Sequence, residues 1–198
     1  MEMQQTRNDP VNLEDGRDLQ EERVASGADW TVSARPERPI LFVDVDGVIS
    51  VFGFPIDEPP PGSFHTIDGI VHCISERAGD RLARLASAFD LVWATGWEEK
   101  ANEYLPHLLN LDGDLPVLSF DGRAVFGSAH WKVDAIDAYA ADRPAAWIDD
   151  FIDETCREWA ERRSAPTLLI ETDSATGITD GDVEKLLAWA VQIAADRD

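Results

Sequence analysis

Residues 40–49 read Ile40-Leu41-Phe42-Val43-Asp44-Val45-Asp46-Gly47-Val48-Ile49, an apolar run that breaks into two acids and a glycine. Continuous rather than alternating hydrophobicity suits a strand buried on both faces, as in a parallel sheet. The Asp-Gly step favours a loop, so the run predicts a buried strand ending in a pair of carboxylates. Working outward, the same pattern predicts strands at Leu91–Thr95, Val117–Phe120, Ala145–Ile148 and Thr167–Glu171. Helical spacing fills the gaps at Ser75–Phe89, Glu98–Leu109, Val133–Ala141, Ile152–Arg163 and Asp182–Ala195. Thr179-Asp180-Gly181-Asp182 suits a capping arrangement, with acids at the positive end of the last helix. Strands alternating with helices of this length define an α/β chain with a five-stranded, mainly parallel sheet covered on both faces.

Residues 1–38 read differently. Charged and polar side chains dominate and neither period persists, which predicts a disordered acidic tail ahead of a domain at 39–198. A transient helix around Leu13–Val24 and docking by Trp30 and Val32 are the most structure expected there. Across 198 residues, 39 Asp+Glu stand against 17 Lys+Arg, for a net charge of −22. Such a charge disfavours nucleic acid as a partner, because polynucleotide binding depends on Lys and Arg displacing counterions. No apolar run approaches the ~20 residues that cross a bilayer, so no membrane partner is expected. The first thirty residues lack the apolar core of a secretory signal. The two cysteines, Cys73 and Cys156, are far apart and suit the reduced thiols of a cytoplasmic protein. Nothing in the sequence sets an oligomeric state.

Ligands of parallel sheets gather at the carboxyl ends of the strands. There the sequence puts Asp44 and Asp46 after the first strand, Thr95-Gly96-Trp97 after the second, and Asp149-Asp150 after the fourth. Lys132 precedes the helix leading into that fourth strand, and it is one of only three lysines. Four carboxylates around one ammonium are costly unless a cation neutralises them. Hard oxygen donors that leave room for water and phosphate suit Mg²⁺. The residues alone therefore reach a Mg²⁺-dependent phosphoryl site. An EF-hand is excluded, since Asp-x-Asp is not followed by the remaining ligands in register. His65, His72 and Cys73 lack the paired spacing of a zinc site. Asp112-Gly113-Asp114 and Asp180-Gly181-Asp182 read as turns. Trp97 and Trp131 flank the expected site, where core packing is favoured over stacking on a base. Glu154, one helical turn beyond Asp150, is a candidate outer group. Arg77, Arg81 and Arg84, at helical spacing, read as a solvated face or a local basic patch.

The motifs Val43-Asp44-Val45-Asp46-Gly47-Val48, Thr95, Lys132 and Asp149-Asp150 occur in an order that resembles the haloacid dehalogenase-like (HAD) phosphohydrolases. Trp93-Ala-Thr-Gly-Trp97-Glu-Glu-Lys-Ala-Asn102 further resembles a bacterial subgroup found in proposed RNA-repair proteins. The resemblance implies a Rossmann-like three-layer α/β/α sandwich. It implies Asp44 as nucleophile and Asp46 as the acid that protonates the leaving oxygen and then activates water. It gives Thr95 and the Gly96 N–H to the phosphoryl oxygens, and Lys132 to the charge on nucleophile and phosphate. The implied cofactor is Mg²⁺, held by Asp44, the main-chain carbonyl of Asp46 and Asp150, with Asp149 orienting a bound water.

The stretch from Ile49 to about Ile74 is rich in proline and glycine and long enough for a hairpin flap, not a domain. Ser119–Trp131 is only hairpin-sized. The expected enzyme is thus capless and open, a phosphatase for a small phosphorylated molecule, a nucleotide or a polynucleotide end. The alternatives are a non-catalytic interaction module that kept the fold, or a true dehalogenase. Intact Asp44, Asp46, Thr95, Lys132 and Asp150 speak against the first, while Asp46 and the missing cap speak against the second.

Overall fold

The computed structural model describes residues 38–120 and 128–196. The tail expected at 1–38 thus falls outside the described residues except for Arg38, as does most of the second hairpin-sized gap. Arg38 is tied to the body by an ion pair with Asp90 at 2.7 Å and a hydrogen bond to the Ala86 carbonyl.

Four parallel strands form the main sheet: β1 (Ile40–Val43), β5 (Asp90–Trp93), β6 (Ala145–Asp149) and β7 (Thr167–Glu171), in the order β5-β1-β6-β7. All four residues of β1 are fully buried, as its unbroken apolar run demands. Their side chains alternate. Leu41 and Val43 join a core shared with α1 (Ala78–Ala86), α2 (Lys100–Leu109) and α5 (Asp180–Ala195). Ile40 and Phe42 join a second core with α3 (Val133–Ala140) and α4 (Glu154–Arg162). These two cores, one on each face of the sheet, make the described domain three-layered.

The fifth expected strand does not form. Val117 makes an isolated bridge to Trp93, held by Trp93 N–H to the Pro116 carbonyl and Leu118 N–H to the Trp93 carbonyl. Proline has no N–H to extend the ladder, and the Phe120 N–H turns away to Glu98 Oε1 at 2.7 Å. The helix expected at Ser75–Phe89 is shorter than its apolar period suggested, because Ser75 completes a strand and Ser87–Phe89 turns back to the Arg84 and Leu85 carbonyls. Asp180-Gly181-Asp182 is not a turn but the first turn of α5, with Thr179 and Asp182 forming a reciprocal capping box. Asp112-Gly113-Asp114 does lie in irregular structure.

The proline-rich stretch folds as expected into a flap. β3 (Gly62–Ile67) and β4 (Ile70–Ser75) make an antiparallel hairpin, and β2 (Ser50–Val51) pairs with the far side of β4. Among the described residues, no helix is long and apolar enough to cross a membrane.

Candidate active site

β1 lies between β5 and β6, and the chain leaves β1 and β6 toward opposite faces: α1 packs on one, α4 on the other. A crevice opens outside the carboxyl ends of two such strands. Asp44 enters it from β1, its N–H bonded to the Ile148 carbonyl at 3.1 Å, which sets it beside Asp149. Beyond Asp44 the chain coils tightly, with the N–H groups of Ile49 and Ser50 both on the Val45 carbonyl. Gly47 permits this coil. Its φ is +73°, and a Cβ there would fall 2.2 Å from Asp150 Cγ.

Lys132 occupies the centre of the crevice. Only 3% of it is exposed, and its ammonium lies 2.8 Å from Asp44 Oδ2 and 2.6 Å from Asp149 Oδ2. The Phe151 N–H takes the other Asp149 oxygen, and Ser174 Oγ donates to Asp150 Oδ2 at 2.7 Å. Asp44, Asp149 and Asp150 each offer an oxygen within 4.8 Å of the others.

Three carboxylates against one ammonium leave two negative charges in a desolvated place. Burial raises the Asp44 carboxyl to about 7, against the pull of Lys132, and the Asp149 charge adds to the rise. Burial also raises Asp150, although the Ser174 hydrogen bond opposes it. For Lys132 burial acts downward, but Asp44 and Asp149 outweigh it and hold the ammonium above its ordinary value. Burial drives the two carboxyl shifts and the neighbouring acids drive that of Lys132, and in each case the group holds its proton more tightly than usual. The donor set therefore fits a hard divalent cation, whose charge matches the deficit.

Thr95 is buried at the end of β5, and its hydroxyl accepts the Trp97 N–H at 3.3 Å. Gly96 lines the cleft above it. The Asp46 side chain stands apart from the other three acids: its Oδ2 accepts the Trp97 indole N–H at 2.9 Å. His72 of β4 packs edge-on against Trp97 with ring centroids 4.7 Å apart. Its Nδ1 lies 3.0 Å from Ser50 Oγ and 3.7 Å from Asp46 Oδ1.

His72, Ser50, Thr172 and Ser174 were missed by the sequence reading. Thr172 donates its hydroxyl to the Gly47 carbonyl, and the Ile178 N–H bonds the Val48 carbonyl, so residues 172–178 brace the loop that carries Asp44 and Asp46. Only β4's pairing with β2 could have revealed His72. Trp97 packs against the core and donates to Asp46, and Trp131 is half-buried in the cleft wall. Glu154 is exposed in the first turn of α4 and is not one of the grouped acids. Arg77, Arg81 and Arg84 are not simply solvated: all three converge on Asp180.

A parallel sheet between two helical layers, with acids after its first and third strands in chain order and a buried lysine beside them, is the arrangement of a HAD-superfamily domain. More closely, residues 40–183 match the family described as the HAD domain in Swiss Army Knife RNA repair proteins, and the chain belongs to that family. No curated protein gives a match to the chain. HAD domains are in general phosphatase-type hydrolases, and the grouped carboxylates here are compatible with Mg²⁺.

Proposed function

We propose that the protein is a Mg²⁺-dependent phosphomonoester hydrolase that works through an aspartyl-phosphate on Asp44. The observation that carries this reading is the buried Asp44–Lys132–Asp149 cluster at the crevice between β1 and β6. Asp44, the Asp46 main-chain carbonyl and Asp150 would hold Mg²⁺. Asp149, held by Lys132 and the Phe151 N–H, would orient a water of the ion, the role that the family resemblance implies for it. When bound, the ion supplies Lewis-acid neutralisation of phosphoryl charge.

The chain's own residues do the rest. An Asp44 carboxylate oxygen attacks phosphorus, forming an O–P bond as the ester O–P bond breaks. Asp46 gives its proton to the departing alkoxide. It then takes a proton from the water that attacks the phosphoryl-aspartate, releasing inorganic phosphate and restoring Asp44. Thr95 and the Gly96 N–H orient the phosphoryl oxygens, and Lys132 offsets charge on nucleophile and phosphate. The family's association with RNA repair proteins supports a nucleotide or a phosphorylated nucleic-acid end as substrate. The net charge of −22 opposes unaided binding of a long polyanion.

The test is rapid-quench mass spectrometry with p-nitrophenyl phosphate. With this good leaving group, Asp46→Asn accumulates one phosphoryl group on the Asp44 peptide. Asp44→Asn neither labels nor turns over, and EDTA abolishes wild-type turnover. Near-normal turnover by a folded Asp44→Asn protein would sink the nucleophile assignment, and full turnover in EDTA would remove the metal. A folded protein that hydrolyses no phosphate ester would leave the non-catalytic module standing.

A further inference from the structure

Four of the eight exposed large apolar side chains among the described residues gather in one place. Phe52, Ile70, Val71 and Phe151 line the cleft of about 490 Å³ above the carboxylates. Val51 and Trp131 complete its apolar lining. Ile70 and Val71, at the start of β4, are 62% and 64% exposed. An apolar patch is costly to leave in water, and here it adjoins the polar floor that a reacting phosphoryl group would occupy.

The charges of the same cleft set a second condition. Among the described residues, Lys132 is the one permanently cationic side chain lining it, and that ammonium is already shared by Asp44 and Asp149. The other charged side chains of the lining are Asp44, Asp46, Asp149 and Asp150, with His72 beside Asp46. A ligand's reacting phosphoryl group has partners at the floor. Among the described lining residues, a further phosphate would meet carboxylates and no unspent cation.

We propose that Phe52, Ile70, Val71 and Trp131 form a leaving-group subsite for a neutral, flat, apolar group carrying a single phosphate, the chemistry of a nucleoside monophosphate. The proposal rests on the phosphatase reading above and narrows it. The base lies against the apolar wall, where aromatic faces accept any nucleobase through stacking and area burial. A diphosphate, a bisphosphate or an oligonucleotide strand brings extra anionic groups into an acidic cleft and is disfavoured.

The experiment compares kcat/KM, with Mg²⁺, for adenosine 5′-monophosphate, ribose 5-phosphate, adenosine 3′,5′-bisphosphate and a 5′-phosphorylated oligoadenylate. The monophosphate should exceed each of the others by roughly tenfold or more. The double variant Ile70→Ser/Val71→Ser, with folding checked by circular dichroism, should bring the adenosine-to-ribose ratio toward one. Titration calorimetry of the same ligands with Mg²⁺ gives the ranking without turnover. If hydrolysis proceeds at equal rates with and without the base, the subsite is wrong and the phosphatase reading stands. If the oligoadenylate is preferred, a polynucleotide takes the place of the mononucleotide. If nothing is hydrolysed, the phosphatase reading fails and calorimetry decides alone: the expected ranking upholds the subsite, a flat or reversed one overturns it.

Discussion

Asp44 carries a cost that its surroundings do not fully meet. An unfolded aspartate titrates near 4, whereas burial holds the folded Asp44 up at about 7. The folded chain therefore binds that proton more tightly than the unfolded one, and stability is lost as pH rises from about 4 to about 7. Asp44→Asn removes the penalty and leaves Lys132 paired with Asp149. In EDTA at pH 8 the variant should melt about 5 °C or more above wild type, on the order of a few kcal/mol. The gap should close near pH 4 and shrink with Mg²⁺ at pH 8; an unchanged Tm at pH 8 contradicts this account. Trp97 makes the complementary case. Its indole donates to Asp46 and so fixes the carboxylate that the proposed mechanism uses twice. Trp97→Phe keeps the ring contact with His72 but loses the donor. We expect kcat to fall about tenfold with KM within about twofold, as for a lost hydrogen bond to a charged group.

At the scale of elements, the coil between β1 and β2 is the most constrained piece of the site. Gly47→Ala would force a Cβ into Asp150 while holding φ at +73°. Both effects act on one residue, so Mg²⁺ affinity by calorimetry should fall along with Tm, the latter by several degrees, on the order of 1–3 kcal/mol. Retained Mg²⁺ affinity in a folded variant would argue against Asp150 as a ligand. The sequence showed this coil clearly, because an apolar run ending in Asp-x-Asp-Gly has few other uses. It also showed β6, β7 and the flap, whose composition excludes a buried helix. Val117–Phe120 misled because it is as apolar as a strand, while what ended it was Pro116 and the reach of Glu98. His72 was hidden for another reason. Its place beside Asp46 depends on β4 pairing with β2 across more than twenty residues, and no local pattern encodes such a register.

Over the whole molecule, Arg38 is the first described residue and is anchored to the body. That residue is held by Asp90 and the Ala86 carbonyl, and its own carbonyl accepts from Arg143. Residues 1–37 offer the sheet no periodic apolar face. A chain shortened to begin at Arg38 should melt within about 2 °C of the full protein. A fall beyond ~5 °C, on the order of 1–2 kcal/mol for a body this size, would show that the earlier residues pack on it. The overall charge belongs to this scale too. Ion pairs such as Arg77, Arg81 and Arg84 on Asp180 consume the few arginines locally, leaving a surface whose long-range field is negative.

The brace formed by residues 172–178 has a consequence for the order in which the protein is made. Asp44 and Asp46 leave the ribosome early, but the Gly47 and Val48 carbonyls wait for Thr172 and Ile178, and Asp150 waits for Ser174. At roughly 5–20 residues per second, that interval is on the order of 10 seconds. Throughout it the nascent chain carries its acids without the strap that fixes them. Chains released early, before Thr172, would lack an assembled site however well their first strands had paired. On the proposed function, prematurely terminated products should be catalytically silent rather than partially active.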